Sequence, residues 1–373
     1  MLGAIIGDIV GSRFEWDNYK AKDFEFLTND CFFTDDSVMS LALCQALLES
    51  KPDFSDLREQ AVAKMRAFGD AYPDAGYGRT FSCWLYFGDP QPYNSYGNGS
   101  AMRVSGVVYA ANTMEQVKQL SLMVTDVTHN HPEGIKGAEA TAVAAFMAKQ
   151  GADMQAIRDY IDANYYPMDF TLDGIRDSYM FNETCQNTVP QALMAFFEST
   201  SYEDAIRNAI SIGGDSDTLA AITGAVAECY YGISQKLREQ GMSYLDERLL
   251  GVLRAFEEKC NTKTVQPQSL MQQEVVRFCT VCTVFRERSA LIEKIADECH
   301  LQEEDERYAE DEFQMLCLVA EKLHGNKCAC AAAERCQNQQ HYFRHTPAMQ
   351  LGEGFIRTVD DKGGAVDEDQ VII

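Results

Sequence analysis

The chain has 373 residues, of which 46% are hydrophobic, and its formal net charge at pH 7 is −25. This length and composition predict a globular protein with a large core and more than one domain, and exclude a disordered chain. The negative charge argues against a nucleic-acid or anionic-membrane partner, because nothing offsets the repulsion from phosphate groups.

The N-terminal segment, Met1 to Asp8, is apolar but has no basic region and is interrupted by Asp8, so it does not resemble a signal peptide. No apolar run reaches the length of a transmembrane helix. The thirteen cysteines are odd in number and scattered through a long chain, which favours reduced thiols. These features predict a cytoplasmic protein. The cysteines expected in its core are Cys31, Cys44, Cys83, Cys185 and Cys229.

Helical periodicity dominates residues 1 to about 260, and alternating strand patterns are nearly absent. Clusters of Gly, Pro and Asp separate the periodic segments and mark interhelical loops. The sequence therefore predicts an all-α bundle whose chemically distinctive residues lie on loops. The predicted helices cover 37–50, 55–69, 100–112, 114–125, 134–150, 153–164, 188–198, 202–211, 217–231 and 242–260.

Two short segments far apart in the chain carry nearly the same chemistry. Each places two carboxylates, together with hydroxyl groups, at the start of a predicted helix: Thr34-Asp35-Asp36-Ser37 and Asp215-Ser216-Asp217-Thr218. One interpretation is helix capping, since Asp, Ser and Thr accept hydrogen bonds from the free amides of a helix N-terminus. A cap needs a single oxygen, however, and each segment supplies more. If the two helix starts face each other, the converging oxygens favour a two-metal site for hard cations such as magnesium, calcium or manganese.

Three further features are weaker on their own. Glu15 follows a small-residue helical segment, and only proximity to a metal site would make it catalytic. The segment Gly97-Asn98-Gly99-Ser100-Ala101-Met102-Arg103 is a glycine-rich turn entering a helix, which suits phosphate, although a purely structural helix start is an equal alternative. His129 and His131 lie in one turn before an Ala-rich helix, where hydrogen bonding or stacking is more common than metal ligation.

The composition changes after Cys260. Residues 261–270 are predicted to be a linker, 271–357 a helical, cysteine-rich extension of unknown role, and 358–373 a disordered tail. Cysteines and histidines of the extension, beginning with Cys279 and Cys282, could form a zinc site. Their spacing fits no standard pair of zinc knuckles, so buried thiols are an alternative.

Taken together, the motifs resemble those of the ADP-ribosylglycohydrolase family, which includes dinitrogenase reductase activating glycohydrolase and the mammalian ADP-ribosyl-acceptor hydrolases. The resemblance implies an all-α orthogonal helical bundle over residues 1–260, with two Mg²⁺ or Mn²⁺ ions as cofactors. The motifs that carry it occur in family order over residues 1–232: Gly3-Ala4-Ile5-Ile6-Gly7-Asp8 through Gly11-Ser12-x-x-Glu15, Thr34-Asp35-Asp36-Ser37, Gly97 to Arg103, Thr128-His129-x-x-Pro132 and Gly213-Gly214-Asp215-Ser216-Asp217-Thr218.

Carried onto this sequence, the resemblance implies a set of site residues. The metal ligands would be Thr34, Asp35, Asp36, Asp215, Asp217 and Thr218, with Glu15, Asp35 and Asp217 as the catalytic residues. ADP-ribose would contact Gly97, Asn98, Gly99, Ser100, Met102 and His129.

The reaction implied by the resemblance is metal-dependent cleavage of the glycosidic bond between ADP-ribose and a modified acceptor. The partner would be an ADP-ribosylated protein or a small ADP-ribose conjugate, and ADP-ribosyl-arginine on protein is the first expectation. The alternatives are serine-linked ADP-ribose, free derivatives such as O-acetyl-ADP-ribose, and a non-catalytic ADP-ribose-binding module. The sequence does not predict an oligomeric state.

Overall fold

The computed structural model of the protein describes residues 1–264. Over this range the chain consists of helices and loops, without a β-strand, and the all-α prediction is confirmed. None of the helices in this range is both long enough and apolar enough to span a membrane. The predicted extension 271–357, its zinc alternative and the predicted tail 358–373 lie outside the described residues, as does most of the predicted linker.

Fifteen α-helices make up the described region, with 3-10 turns at Val104–Gly106 and Cys185–Asn187. In chain order the helices are α1 (Leu2–Gly11), α2 (Asp35–Glu49), α3 (Leu57–Ala71), α4 (Arg79–Tyr86), α5 (Gly99–Met102), α6 (Val107–Ala110), α7 (Met114–Thr125), α8 (Pro132–Lys149), α9 (Met154–Asn164), α10 (Leu172–Ile175), α11 (Val189–Phe197), α12 (Tyr202–Ile210), α13 (Ser216–Tyr231), α14 (Gln235–Met242) and α15 (Glu247–Thr264).

The structure differs from the predicted helices in a few places. The predicted helix over 100–112 is divided into α5, a 3-10 turn and α6. The sequence does not predict α4, which is only eight residues long and buries just Phe81, Trp84 and Leu85. Cys83 lies on the opposite face of that helix and is exposed, so its expected place in the core is wrong. Cys31, Cys44 and Cys185 are buried as predicted.

The centre of the core is α13, which contacts α1, α8, α11 and α12. All residues of α1 are buried, and small residues let it lie directly against α13. A Cβ atom on Gly7 would be 2.1 Å from the Ala220 carbonyl oxygen, and one on Gly11 would be 2.5 Å from the Cα atom of Asp217. This close approach places the C-terminal end of α1 beside the N-terminal end of α13.

Candidate functional site

The two acidic segments predicted to converge do meet, at the junction of α1, α2 and α13. One carboxylate oxygen from each of Asp8, Asp36 and Asp217 lies within 4.8 Å of the other two. Oxygens from Glu15, Asp215 and Asp217 form a second group with the same spacing. Asp217 belongs to both groups, so the structure contains two adjoining all-oxygen clusters.

Helix capping accounts for Thr34 but not for Asp215. The Thr34 hydroxyl accepts a hydrogen bond from the Asp36 amide at 3.3 Å, as an N-cap residue does. Asp215 occupies the N-cap position of α13 without a side-chain capping bond. Its carboxylate instead accepts a hydrogen bond from Asn98 Nδ2 at 2.6 Å. The Thr218 hydroxyl donates to Asp36 Oδ2 at 3.3 Å, so the two helix starts contact each other directly.

Asp8, which is not among the predicted site residues, holds the start of α2 in place. It is fully buried. Its Oδ1 accepts a hydrogen bond from the Thr34 hydroxyl at 2.7 Å. Its Oδ2 accepts from the amides of Thr34 and Ser37, at 3.0 and 3.1 Å, and from the Ser37 hydroxyl. A signal for it was present in the sequence, because a lone carboxylate in an otherwise apolar helix needs buried partners.

Burial and mutual repulsion perturb the carboxylates of the cluster. Burial, followed by the charge of Asp217, raises the pKa of Asp8 to about 7 and that of Glu15 to about 8. The same two causes raise the pKa well above its ordinary value in Asp35, Asp36 and Asp215. These groups cannot all be ionised near neutral pH unless a cation lies among them.

The donor set fits a divalent cation. Asp36 Oδ1 is buried and has no hydrogen-bond partner among the described residues. A buried carboxylate oxygen without a partner is costly, and coordination to a metal ion would satisfy it. The surrounding donors are carboxylate and hydroxyl oxygens, which hard ions such as magnesium, manganese and calcium prefer. The residues therefore fit a divalent-metal site.

The acidic cluster lines a cavity of about 330 Å³ that also includes the glycine-rich turn. Two predicted site residues do not line it. The Ser100 hydroxyl is buried and donates to the Gly134 carbonyl at 2.9 Å, and the Thr34 hydroxyl is bonded to Asp8. The predicted residues that do line the cavity are Glu15, Asp35, Asp36, Gly97, Asn98, Gly99, Met102, His129, Asp215, Asp217 and Thr218.

His129 is held against the glycine-rich turn from behind by Arg103. A Cβ atom on Gly97 or Gly99 would lie 3.5 Å from His129 Nε2. On the other side of the ring, Nδ1 lies 2.7 Å from the Thr128 hydroxyl and 3.5 Å from Arg103 Nη2. Burial and then the charge of Arg103 lower the pKa of His129 well below its usual value. A neutral imidazole therefore presents Nε2 to the turn.

The cavity also contains residues that no sequence motif identified. They come from loops and from the unpredicted helix α4, so their place depends on contacts between distant segments. For example, the backbone amide of Asn98 donates a hydrogen bond to the Glu183 carbonyl at 2.7 Å. This bond fixes the loop that precedes the 3-10 turn at Cys185 beside the glycine-rich turn. The additional lining residues are Gly76, Gly78, Arg79, Thr80, Phe81, Tyr93, Ser95, Phe181 and Glu183, and Arg103 at the end of the glycine-rich motif also lines the cavity.

The chain is similar to one family model and to several known proteins. The family model described as ADP-ribosylglycohydrolase matches residues 1–266. ADP-ribosylhydrolase ARH3 from Bos taurus is 26% identical over 314 residues, covering 63% of this chain and 84% of that protein. ADP-ribosylarginine hydrolase Tri1 from Pseudomonas putida (strain GB-1) is 27% identical over 269 residues, covering 63% and 70%. A solved structure described as an ADP-ribosylglycohydrolase-related protein complex aligns with 68% of this chain and 95% of its own, at 22% identity and a TM-score of 0.45.

Proposed function

The chain belongs to the ADP-ribosylglycohydrolase family, and on that premise we propose that it removes ADP-ribose from modified arginine side chains of proteins. We further propose a centre of two Mg²⁺ or Mn²⁺ ions. The observation that carries the proposal is the meeting of two carboxylate clusters, with the unpartnered Asp36 Oδ1, in the cavity that holds the glycine-rich turn. Similarity to the ADP-ribosylarginine hydrolase Tri1 of Pseudomonas putida supports arginine as the acceptor.

The proposed metal ligands come from the starts of two helices. Divalent ions bound there supply positive charge that orients hydroxyl groups and water and stabilises developing negative charge. The protein's own contribution is to hold the ligands: Asp8 bonds to the start of α2, and Asn98 bonds to Asp215. The ligands are Thr34, Asp35 and Asp36 from the first segment, and Asp215, Asp217 and Thr218 from the second.

Glu15 is the proposed proton-transfer residue. It lies on the turn after α1 and is only partly buried, whereas Asp36, Asp215 and Asp217 are buried. Water and substrate can therefore reach its carboxylate, as a residue that transfers a proton requires. Glycosidic cleavage breaks the bond between the anomeric carbon and the acceptor nitrogen through an oxocarbenium-like state. A water positioned by Glu15 would attack that carbon and give its proton to Glu15, which would pass a proton to the departing nitrogen.

The diphosphate of the substrate needs donors that do not depend on net positive charge. The backbone amides of Gly97 and Asn98 already donate hydrogen bonds, to Ser95 Oγ and to the Glu183 carbonyl respectively. Gly99 lines the cavity and begins α5, where amides have no partner inside the helix, so we assign its amide to phosphate. We assign the Nε2 proton of His129 to the same role, because the guanidinium beside Nδ1 can only donate.

The proposal is tested by the release of free ADP-ribose from arginine-linked and serine-linked ADP-ribosylated peptides, measured by chromatography. Reactions would contain Mg²⁺, Mn²⁺ or a chelator, with wild type, Asp35→Ala, Asp217→Ala and the control Asp169→Ala. Asp169 is exposed and does not line the cavity. We expect metal-dependent release from the arginine-linked peptide, lost in the first two variants and retained in the control.

Other outcomes would contradict parts of the proposal. Preferential release from the serine-linked peptide would contradict arginine as the acceptor. Full activity in the chelator would contradict the metal centre. If neither peptide is cleaved by a protein that still binds ADP-ribose, the function would be hydrolysis of a free derivative such as O-acetyl-ADP-ribose, or binding alone.

A further inference from the structure

An exposed aromatic pair borders the cavity next to Glu15. Trp16, the residue after Glu15, is 77% exposed, and its ring stacks on that of Phe181 with centroids 5.1 Å apart and planes inclined by 18°. Phe181 lines the cavity and is itself 37% exposed. Exposed Met180 extends the apolar patch. Apolar surface of this kind at the mouth of a polar cavity is typical of a binding surface.

Hydrogen bonds at both ends fix this patch relative to the acidic cluster. Asn18 Nδ2 lies 3.6 Å from the Met180 sulfur, and Asn18 Oδ1 accepts a hydrogen bond from the Gly214 amide at 3.1 Å. Gly214 immediately precedes a proposed metal ligand. At the other end, the Glu183 carbonyl accepts from the Asn98 amide of the glycine-rich turn. The segment 180–183 is therefore tied to both functional parts of the cavity.

A carboxylate of this segment lines the cavity together with the aromatic ring. Phe181 and Glu183 are two residues apart in the loop before Cys185, and both line the cavity. Glu183 is not among the residues of the two oxygen clusters. Glu183 lines the same cavity as Glu15. It is thus an acidic group in the cavity that metal binding would not neutralise directly.

We propose that Trp16, Phe181 and Glu183 form an acceptor subsite that binds the guanidinium group of arginine. A guanidinium is planar, stacks on aromatic faces and forms paired hydrogen bonds with a carboxylate. The subsite offers both kinds of contact within one segment. A serine acceptor has no cation to use them, and an adenine base would stack but gain nothing from the negative charge. This inference rests on the proposed function and adds the residues that select the acceptor.

The first test measures acceptor selectivity in the full-length protein. Values of kcat/KM for the arginine-linked and serine-linked peptides would be compared in wild type, Phe181→Ala and Glu183→Gln. Phe87→Ala is the matched control, because Phe87 is 71% exposed and lies outside the cavity. For the two subsite variants we expect about a tenfold loss with the arginine-linked peptide only, the size of effect that a lost polar or stacking contact produces. Equal losses with both peptides, or no loss, would overturn the subsite.

The second test does not depend on hydrolysis. The sequence contains two tryptophans, and Trp84→Phe leaves Trp16 as the single fluorescent reporter. In the presence of Mg²⁺ and ADP-ribose, this variant would be titrated with agmatine, which carries a guanidinium, and with putrescine, which carries only ammonium groups. We expect agmatine to cause a saturable change in Trp16 fluorescence at about tenfold lower concentration than putrescine does. The agmatine response should be lost when Glu183→Gln is combined with Trp84→Phe.

The two failures can be told apart. If agmatine binds as described but neither peptide is cleaved, the proposed function is wrong and the guanidinium subsite stands. If the arginine-linked peptide is cleaved but agmatine and putrescine behave alike, the proposed function stands and the subsite is wrong.

Discussion

We expect Gly7→Ala to destabilise the protein and to weaken metal binding, both because it would push α1 away from α13. A methyl group at this position would lie 2.1 Å from the Ala220 carbonyl oxygen, 2.5 Å from its carbon and 2.9 Å from the Ala221 nitrogen. All three atoms belong to the backbone of α13, so no side-chain rotation relieves the clash. An ordinary contact begins at 3.4 Å, so α1 and α13 would have to separate by about 1.3 Å at this point.

The magnitude follows from two opposing effects. Overpacking of a core costs about 1–3 kcal/mol, and a contact with rigid backbone belongs at the upper end of that range. The better helix propensity of alanine offsets roughly 1 kcal/mol. We therefore expect a net loss of about 2 kcal/mol. In a domain of this size, that loss lowers the melting temperature by about 4–8 °C.

The functional consequence comes from Asp8, the next residue. A shift of α1 moves its carboxylate away from the start of α2, to which it is bonded through Thr34 and Ser37. The rise in melting temperature caused by excess Mg²⁺, relative to chelator, should therefore be smaller in Gly7→Ala than in wild type.

The matched control is Gly251→Ala in α15, where a Cβ atom would meet nothing within 4 Å. It should stabilise the protein by up to about 1 kcal/mol and leave the Mg²⁺ effect unchanged. If Gly7→Ala melts like wild type and keeps the full Mg²⁺ effect, the contact between α1 and α13 does not position Asp8 as described.

Three further predictions concern the site. Asp217→Asn should abolish the Mg²⁺-induced rise in melting temperature. In chelator the variant should melt at a higher temperature than wild type, because one repelling carboxylate is gone, and equal melting temperatures would contradict this. In wild type without metal, the pKa values of Asp8 (about 7) and Glu15 (about 8) exceed those of the unfolded chain. The folded state therefore holds more protons between about pH 4 and 8, and melting scans in chelator should show stability falling as pH rises from 5.5 to 8, roughly. His129→Ala should weaken ADP-ribose binding about tenfold by calorimetry, with a smaller loss in His129→Gln, which retains a donor; equal losses would argue against the assigned hydrogen bond.

The sequence predicted the parts of the site whose chemistry is local. The segments Thr34 to Ser37 and Asp215 to Thr218 each place their oxygens at a helix start, so recognising both was enough to predict a meeting point. The glycine-rich turn was recognisable for the same reason. The direction of individual side chains was not predictable, as Ser100 shows, because its rotamer is set by the Gly134 carbonyl of α8.

Residues that depend on long-range packing were missed. Asp8 contacts residues 26 and 29 positions away, and its role becomes visible only when α1 and α2 are placed together. Phe181 and Glu183 reach the cavity because their loop pairs with the glycine-rich turn through Gly97 and Thr184. No sequence pattern in either segment indicates this pairing. The short helix α4 was missed because three buried residues are too few to establish a helical period.

The position of the cluster follows from which helix ends meet. Since α1 runs antiparallel to α13, with Gly3 near Gly224 and Gly11 near Asp217, the end of α1 reaches the start of α13. The start of α2 joins them through Asp8. Two helix N-termini thus face the carboxylates, and their partial positive charges offset some of the repulsion. The raised pKa of Asp36 shows that this offset is incomplete, and no lysine or arginine is paired with these aspartates among the described ion pairs. The fold therefore concentrates uncompensated negative charge at one point, which a divalent cation is suited to neutralise.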